Sequence, residues 1–211
     1  MDWVRFDLAA RAEIFMPDGR RLCTIDINSD RSGNREIWMF GGGLESTDQG
    51  VRELKSTLGA FDFEGGGVGD PRNDLRFKLP HWAVDLFEPN WLTAYEPTLP
   101  IIDTAYIELG EEAVEHGLPL ELAQLIQFEQ NARRKKAWQI RYSHLGGVLA
   151  PMYSWCYDYF VPGRVPPEAV EAVEAAVAAS RYLELVTYDE IVAGMTYNGT
   201  PVSEMCRLVL D

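Results

Sequence analysis

Short runs of apolar and alternating residues dominate the start of the chain and predict strands. Residues 12–16 and 22–27 are strand-like, and Pro17-Asp18-Gly19 between them is a strong turn signal. Residues 37–40 are all apolar, which is typical of a short buried strand. The pattern therefore predicts a β-hairpin followed by a third strand, which leads into the three glycines Gly41-Gly42-Gly43.

A helix with one apolar face is predicted over residues 48–58. Val51, Leu54 and Leu58 recur at helical spacing and are expected to pack on the sheet. Gly59 stands just past the helix, where glycine commonly ends one. The strand, the glycines and this helix together form an arrangement that can bring acidic side chains and backbone amides to one ligand.

The rest of the chain contains further predicted strands and helices, and the whole pattern indicates an α/β protein. The two prolines at 166 and 167 begin a helix whose valines face inward. The predicted elements of this part are a strand at residues 75–87, a strand or helix start at 101–109, the longest helix at 119–138, the helix after Pro166-Pro167, a strand at 183–187, and short helices at 188–195 and 203–210.

The charge of the chain limits the partners that it can bind. Its formal net charge of −14 repels nucleic acid over most of the surface. One basic run, residues 133–136, lies near the end of the longest predicted helix and is interpreted as solvated. Direct nucleic-acid binding is therefore not expected. The same acidity supports an alternative function, an acidic interaction protein or nucleic-acid mimic that occupies a basic partner.

The cysteines and the hydropathy pattern indicate a cytoplasmic protein without a membrane segment. Three cysteines, Cys23, Cys156 and Cys206, are widely spaced and odd in number, which favours buried thiols in a reducing compartment. No run of eighteen apolar residues is present, and the first residues lack the pattern of a secretory signal.

The residues around the three glycines resemble the Nudix (MutT-like) superfamily, whose motif ends in R-E-U-x-E-E-x-G-U, with U a bulky apolar residue. Trp38 to Glu45 is similar to the strand and glycines before the motif, and Arg52-Glu53-Leu54 with Gly59-Ala60 is similar to its end. Residues 187–205 resemble the family's closing strand and helix. The resemblance implies one domain over residues 1–211, an α/β/α sandwich with a mixed sheet and a helical insertion or extension at about 89–165.

The resemblance also implies hydrolysis of a nucleoside diphosphate linked to another group, with Mg²⁺ or Mn²⁺ as cofactor. The catalytic positions carried over are Glu53, Arg52 and Glu45, the metal ligands are Glu53 and Asp48, and the substrate-binding residues are Gly41, Gly42 and Gly43.

Two substitutions in the motif weaken the implied chemistry. Ser56 and Thr57 stand where the family has its two adjacent glutamates. Glu53 alone would bind a hard cation weakly, because such a cation prefers several carboxylate oxygens. The sequence therefore favours a non-catalytic role in binding a nucleotide or a protein slightly over hydrolysis. A homodimer in which residues 133–136 clamp a diphosphate is an open alternative.

Overall fold

The computed structural model describes most of the chain, and the described residues form nine strands and six α-helices, which confirms a mixed α/β protein. None of these helices is long and apolar enough to cross a membrane. The described residues are 3–26, 35–44, 48–60, 75–87, 101–145 and 148–210, of which the side chains of 48, 137–145 and 148–152 are not described.

The chain forms two compact units. The first comprises residues 1–10, 43–101 and 134–159, and the second comprises residues 11–42, 102–133 and 160–211.

In the first unit, the start of the long strand β1 (Trp3–Phe15) pairs antiparallel with β5 (Arg76–Pro80). Phe6 lies opposite Phe77, and both side chains are buried. Phe87 completes this aromatic cluster, with its ring centroid 4.4 Å from that of Phe6. The predicted strand at residues 75–87 is therefore confirmed only in its first half, because Pro80 is followed by a 3₁₀ turn at His81–Ala83. Proline lacks the N–H that would continue the ladder.

The helix α1 (Asp48–Leu58) of the first unit agrees with the prediction from the apolar pattern. Val51, Leu54 and Leu58 are all buried, and the residues between them are mostly exposed. Gly59 follows with a φ of 65°, the left-handed conformation that ends many helices.

The prediction of a long helix at residues 119–138 is wrong. The helix there is only α3 (Leu120–Ala123), and the chain continues as β6 (Gln127–Phe128) and β7 (Arg133–Leu145). The sequence carries a sign of this, since Trp138, Ile140 and Tyr142 recur at the two-residue period of a strand. β7 pairs with the long strand β8 (Val148–Arg164), which is a tertiary contact that a local pattern does not reveal.

In the second unit, the end of β1 and β2 (Arg21–Ile25) form the predicted hairpin, with Ile14 opposite Leu22. Gly19 in the turn has a φ of 89°, which glycine adopts without strain. β2 also pairs with β9 (Leu183–Val186) and with β3 (Ile37–Trp38). The strand β4 (Phe40–Gly43) pairs with β1 and carries the three glycines.

Helices cover both faces of the sheet in the second unit. Leu22 packs in one core with residues of α2 (Ile101–His116) and α4 (Val170–Ala179). The next residue, Cys23, packs in a second core with residues of α5 (Tyr188–Ala193) and α6 (Glu204–Arg207). Successive side chains of a strand point to opposite faces, so the two cores lie on opposite sides. The predicted helix after Pro166-Pro167, with valines inward, is confirmed by α4.

Candidate functional site

The catalytic residues implied by the resemblance lie on or near α1. Arg52 and Glu53 are exposed there, and Glu53 Oε1 accepts a hydrogen bond of 3.0 Å from Gln49 Nε2 on the same helix. Asp48 begins α1, but its side chain is outside the described residues, as is the whole of Glu45. The roles implied for these four residues stay predictions.

The glycines carried over as substrate-binding residues divide between the two units. Gly43 belongs to the first unit, and Gly41 and Gly42 belong to the second. In the second unit, both backbone polar groups of Gly41 are hydrogen-bonded to side chains. The Gly41 N–H donates to Glu112 Oε2 at 2.9 Å, and the Gly41 carbonyl accepts from Arg11 Nη1 at 3.1 Å. Its φ of 152° is one that side chains rarely tolerate, so this position requires glycine.

Gly42 differs from Gly41, because what comes close to it is the end of a side chain, a carboxylate. A Cβ atom added to Gly42 would lie 2.1 Å from Glu108 Oε2. Glu108 and Glu112 are four residues apart on α2, so they project from the same side of that helix. The helix thus presents two carboxyl groups to two consecutive glycines of β4, and we call these four residues the glycine–glutamate site.

Burial controls the protonation of Glu112. It raises the pKa of this carboxyl to about 7, because removal from water penalises the charged form. The Gly41 N–H and the Arg11 guanidinium oppose the rise, while the negative charges of Glu108 and Glu115 add to it. Near neutral pH, Glu112 therefore exchanges between its charged and neutral forms.

His116 fixes the end of α2 beside this site. Its Nδ1 lies 2.6 Å from the Glu112 carbonyl oxygen, and since a carbonyl only accepts, Nδ1 carries the proton of this bond. The ring is nearly buried and meets Phe40 and Tyr182 edge-on. Residues at the end of α2 and residues 179–182 line an adjoining cavity of about 300 Å³. His116 is thus a packed residue that orients the helix end.

The carboxylate oxygens of the glycine–glutamate site are ligands of the kind that a hard cation such as Mg²⁺ prefers. Among the described residues, no group of three or more His, Cys, Asp or Glu side chains is arranged to hold a metal ion alone. Mg²⁺, however, is usually held by one or two carboxylates together with substrate phosphates and water. Glu108 and Glu112 therefore fit the protein's share of such a site.

The sequence interpretation missed Glu108 and Glu112. It gave residues 101–109 as a strand or a helix start and assigned no element to residues 110–118. A signal was present, because Glu108, Glu112 and Glu115 recur at helical spacing around the apolar Leu109 and Ala113. What the sequence did not contain was the pairing of this helix with the glycines, which are more than sixty residues away along the chain.

Comparison with known proteins found no relative of this chain. No family model, no curated protein and no solved structure matches this chain. The similarity to the Nudix superfamily therefore rests on the sequence motif, and membership of that family stays a prediction.

Proposed function

We propose that this chain binds a nucleoside diphosphate linked to another group at the glycine–glutamate site, together with Mg²⁺ or Mn²⁺. Binding without turnover ranks ahead of hydrolysis. The proposal rests on the positions of two carboxyl groups. Glu112 accepts a hydrogen bond from the Gly41 amide, and the carboxyl group of Glu108 lies close to Gly42, where a larger residue would have its side chain. Two carboxylates on the same side of α2 suit a ligand that brings a divalent cation with it.

Charge explains why the ligand and the cation belong together. A diphosphate beside Glu108 and Glu112 is repelled unless positive charge intervenes. Arg11 supplies one positive charge and, through its bond to the Gly41 carbonyl, also orients the glycine strand. A bound divalent cation would neutralise the diphosphate and polarise its phosphoryl groups.

Hydrolysis is the second candidate, and the pair of carboxylates favours it. With Glu108 and Glu112 both present, one carboxylate can contact a cation while the other accepts a proton from water. Ser56 and Thr57, which stand where the family's motif has two adjacent glutamates, oppose hydrolysis, which is why binding is ranked first.

Thermal unfolding in the presence of ligands tests the proposal. ADP-ribose, NAD or a dinucleoside polyphosphate should raise the melting temperature when Mg²⁺ is present and not in EDTA, because a ligand of the folded state stabilises it. Glu112→Gln should abolish the rise. Glu111→Gln, which removes the same charge from an exposed neighbour on α2, should keep it.

Two results would count against the proposal: no ligand of this class shifts the melting temperature, or Glu111→Gln loses the shift as completely as Glu112→Gln. If Glu53→Gln alone removes the shift, the ligand binds at α1 instead. Release of nucleoside monophosphate from a ligand that binds would establish hydrolysis, and binding without release would establish the non-catalytic role.

A further inference from the structure

A buried carboxylate in the second unit is shared by two arginines. Glu13 on β1 is 1% exposed, and its Oε1 accepts a hydrogen bond of 2.8 Å from Arg21 Nε. Its Oε2 accepts from Arg133 Nη2. One carboxylate thus faces two guanidinium groups, and the cluster retains one positive charge. We call these three residues the arginine cluster.

Aromatic rings hold Arg21 in this position. Its guanidinium carbon lies 4.9 Å from the centroid of the Phe15 ring and 5.9 Å from that of Tyr188. The side chain is only 9% exposed. Within the described part of the chain only Nε of Arg21 donates a hydrogen bond, so the donors on Nη1 and Nη2 are left for water or for a ligand.

Arg133 gives solvent access to the cluster. Its side chain is 45% exposed, and among the described residues Glu13 is the one hydrogen-bond partner of its guanidinium, through Nη2. Arg21 and Arg133 donate to different oxygens of Glu13, so one carboxylate bridges the two guanidiniums. Two guanidiniums that one carboxylate can bridge are close enough for a second small anion to contact both.

Electrostatics favours an anion at this point despite the acidity of the chain. The net charge of −14 repels anions at long range, but salt screens that field, whereas a guanidinium removed from water keeps its local attraction. The planar fork of arginine matches the oxygens of a phosphate group.

We propose that Arg21 and Arg133 bind a phosphate group, carried by free phosphate or by a phosphate monoester, and that this binding needs no divalent cation. The site uses different side chains from the glycine–glutamate site.

Calorimetric titration of the full chain in EDTA tests this second site, with inorganic phosphate and glycerol 3-phosphate as probes and chloride at equal ionic strength as the reference. Both probes should bind, and the tighter one identifies the source of the phosphate group. Arg133→Gln should weaken binding about tenfold or more, because it removes a charged hydrogen-bond donor. Arg133→Lys, which keeps the charge but loses the fork, should weaken binding less.

Arg164→Gln is the matched control. Arg164 is exposed, contacts the same Phe15 ring and is already paired with Glu129, so its loss removes one charge without touching the arginine cluster. It should change phosphate affinity less than about threefold, the effect of a screened surface charge. Circular dichroism confirms that each variant is folded.

The proposal is overturned if phosphate binds no better than chloride, or if Arg164→Gln weakens binding as much as Arg133→Gln. Because the titration is done in EDTA, its result is independent of the cation-dependent binding proposed for the glycine–glutamate site.

Discussion

Helices α1 and α2 both carry glutamates on an amphipathic scaffold, but their surroundings give those glutamates different chemistry. On α1, Glu53 is exposed and contacts Gln49 of its own helix. On α2, Glu112 is largely removed from water and accepts a hydrogen bond from the main chain of another element, at Gly41. A carboxylate in water is an ordinary surface charge, whereas one that is largely removed from water and bonded to a backbone amide has a shifted pKa. The motif pointed to α1, but the environment that perturbs a carboxyl group exists on α2.

The largest expected effect comes from replacing the buried carboxyl of α2. The pKa of Glu112 is about 7 in the folded protein against 4.5 for an ordinary glutamate, so between these values the folded state holds more protons than the unfolded state. Stability in metal-free buffer should therefore fall as the pH rises from 4.5 to 7, by up to about 3 kcal/mol. Glu112→Gln should remove most of this fall and be more stable than the wild type above pH 7.

Urea unfolding across this pH range measures the effect. Glu111→Gln removes a charge from an exposed position of the same helix and should leave the pH dependence of stability close to that of the wild type. If the two variants show the same pH profile, the contrast between buried and exposed glutamates would be wrong.

The next effect separates the two glycines that face α2. Gly41→Ala forces a side chain onto a φ of 152° and should destabilise the protein by about 1–3 kcal/mol. Gly42→Ala meets only the end of the flexible Glu108 side chain, which can turn away. It should therefore cost much less stability, while weakening the cation-dependent ligand shift because Glu108 is displaced. Urea unfolding and thermal shift with ADP-ribose and Mg²⁺ measure the two properties, and equal losses of stability in both variants would contradict this distinction.

The smallest effect is expected on α1. Glu53→Gln removes an exposed charge whose hydrogen bond to Gln49 is of the four-residue helical type, worth about 0.5 kcal/mol or less. Stability at pH 7 should change by no more than this, as urea unfolding would show. A larger effect would mean that α1 has an environment as specialised as that of α2.

Local signals in the sequence predicted several elements well. The turn at Pro17-Asp18-Gly19, the apolar stripe of α1 and the proline start of α4 are each encoded within a few residues, and each was confirmed. The helix predicted at residues 119–138 failed because its strand β7 depends on pairing with β8, and pairing of distant segments is not a local property.

The sequence by itself determined the α/β class, the hairpin, the glycines and the chemical character of the side chains. Only the tertiary structure decided which carboxylates meet the glycines, because the contacts of Gly41 and Gly42 with α2 join segments that are far apart in the chain. The same is true of the arginine cluster, in which Glu13 brings together Arg21 and Arg133. Burial and proximity change the pKa and the affinity of a group, and both arise only when the chain folds.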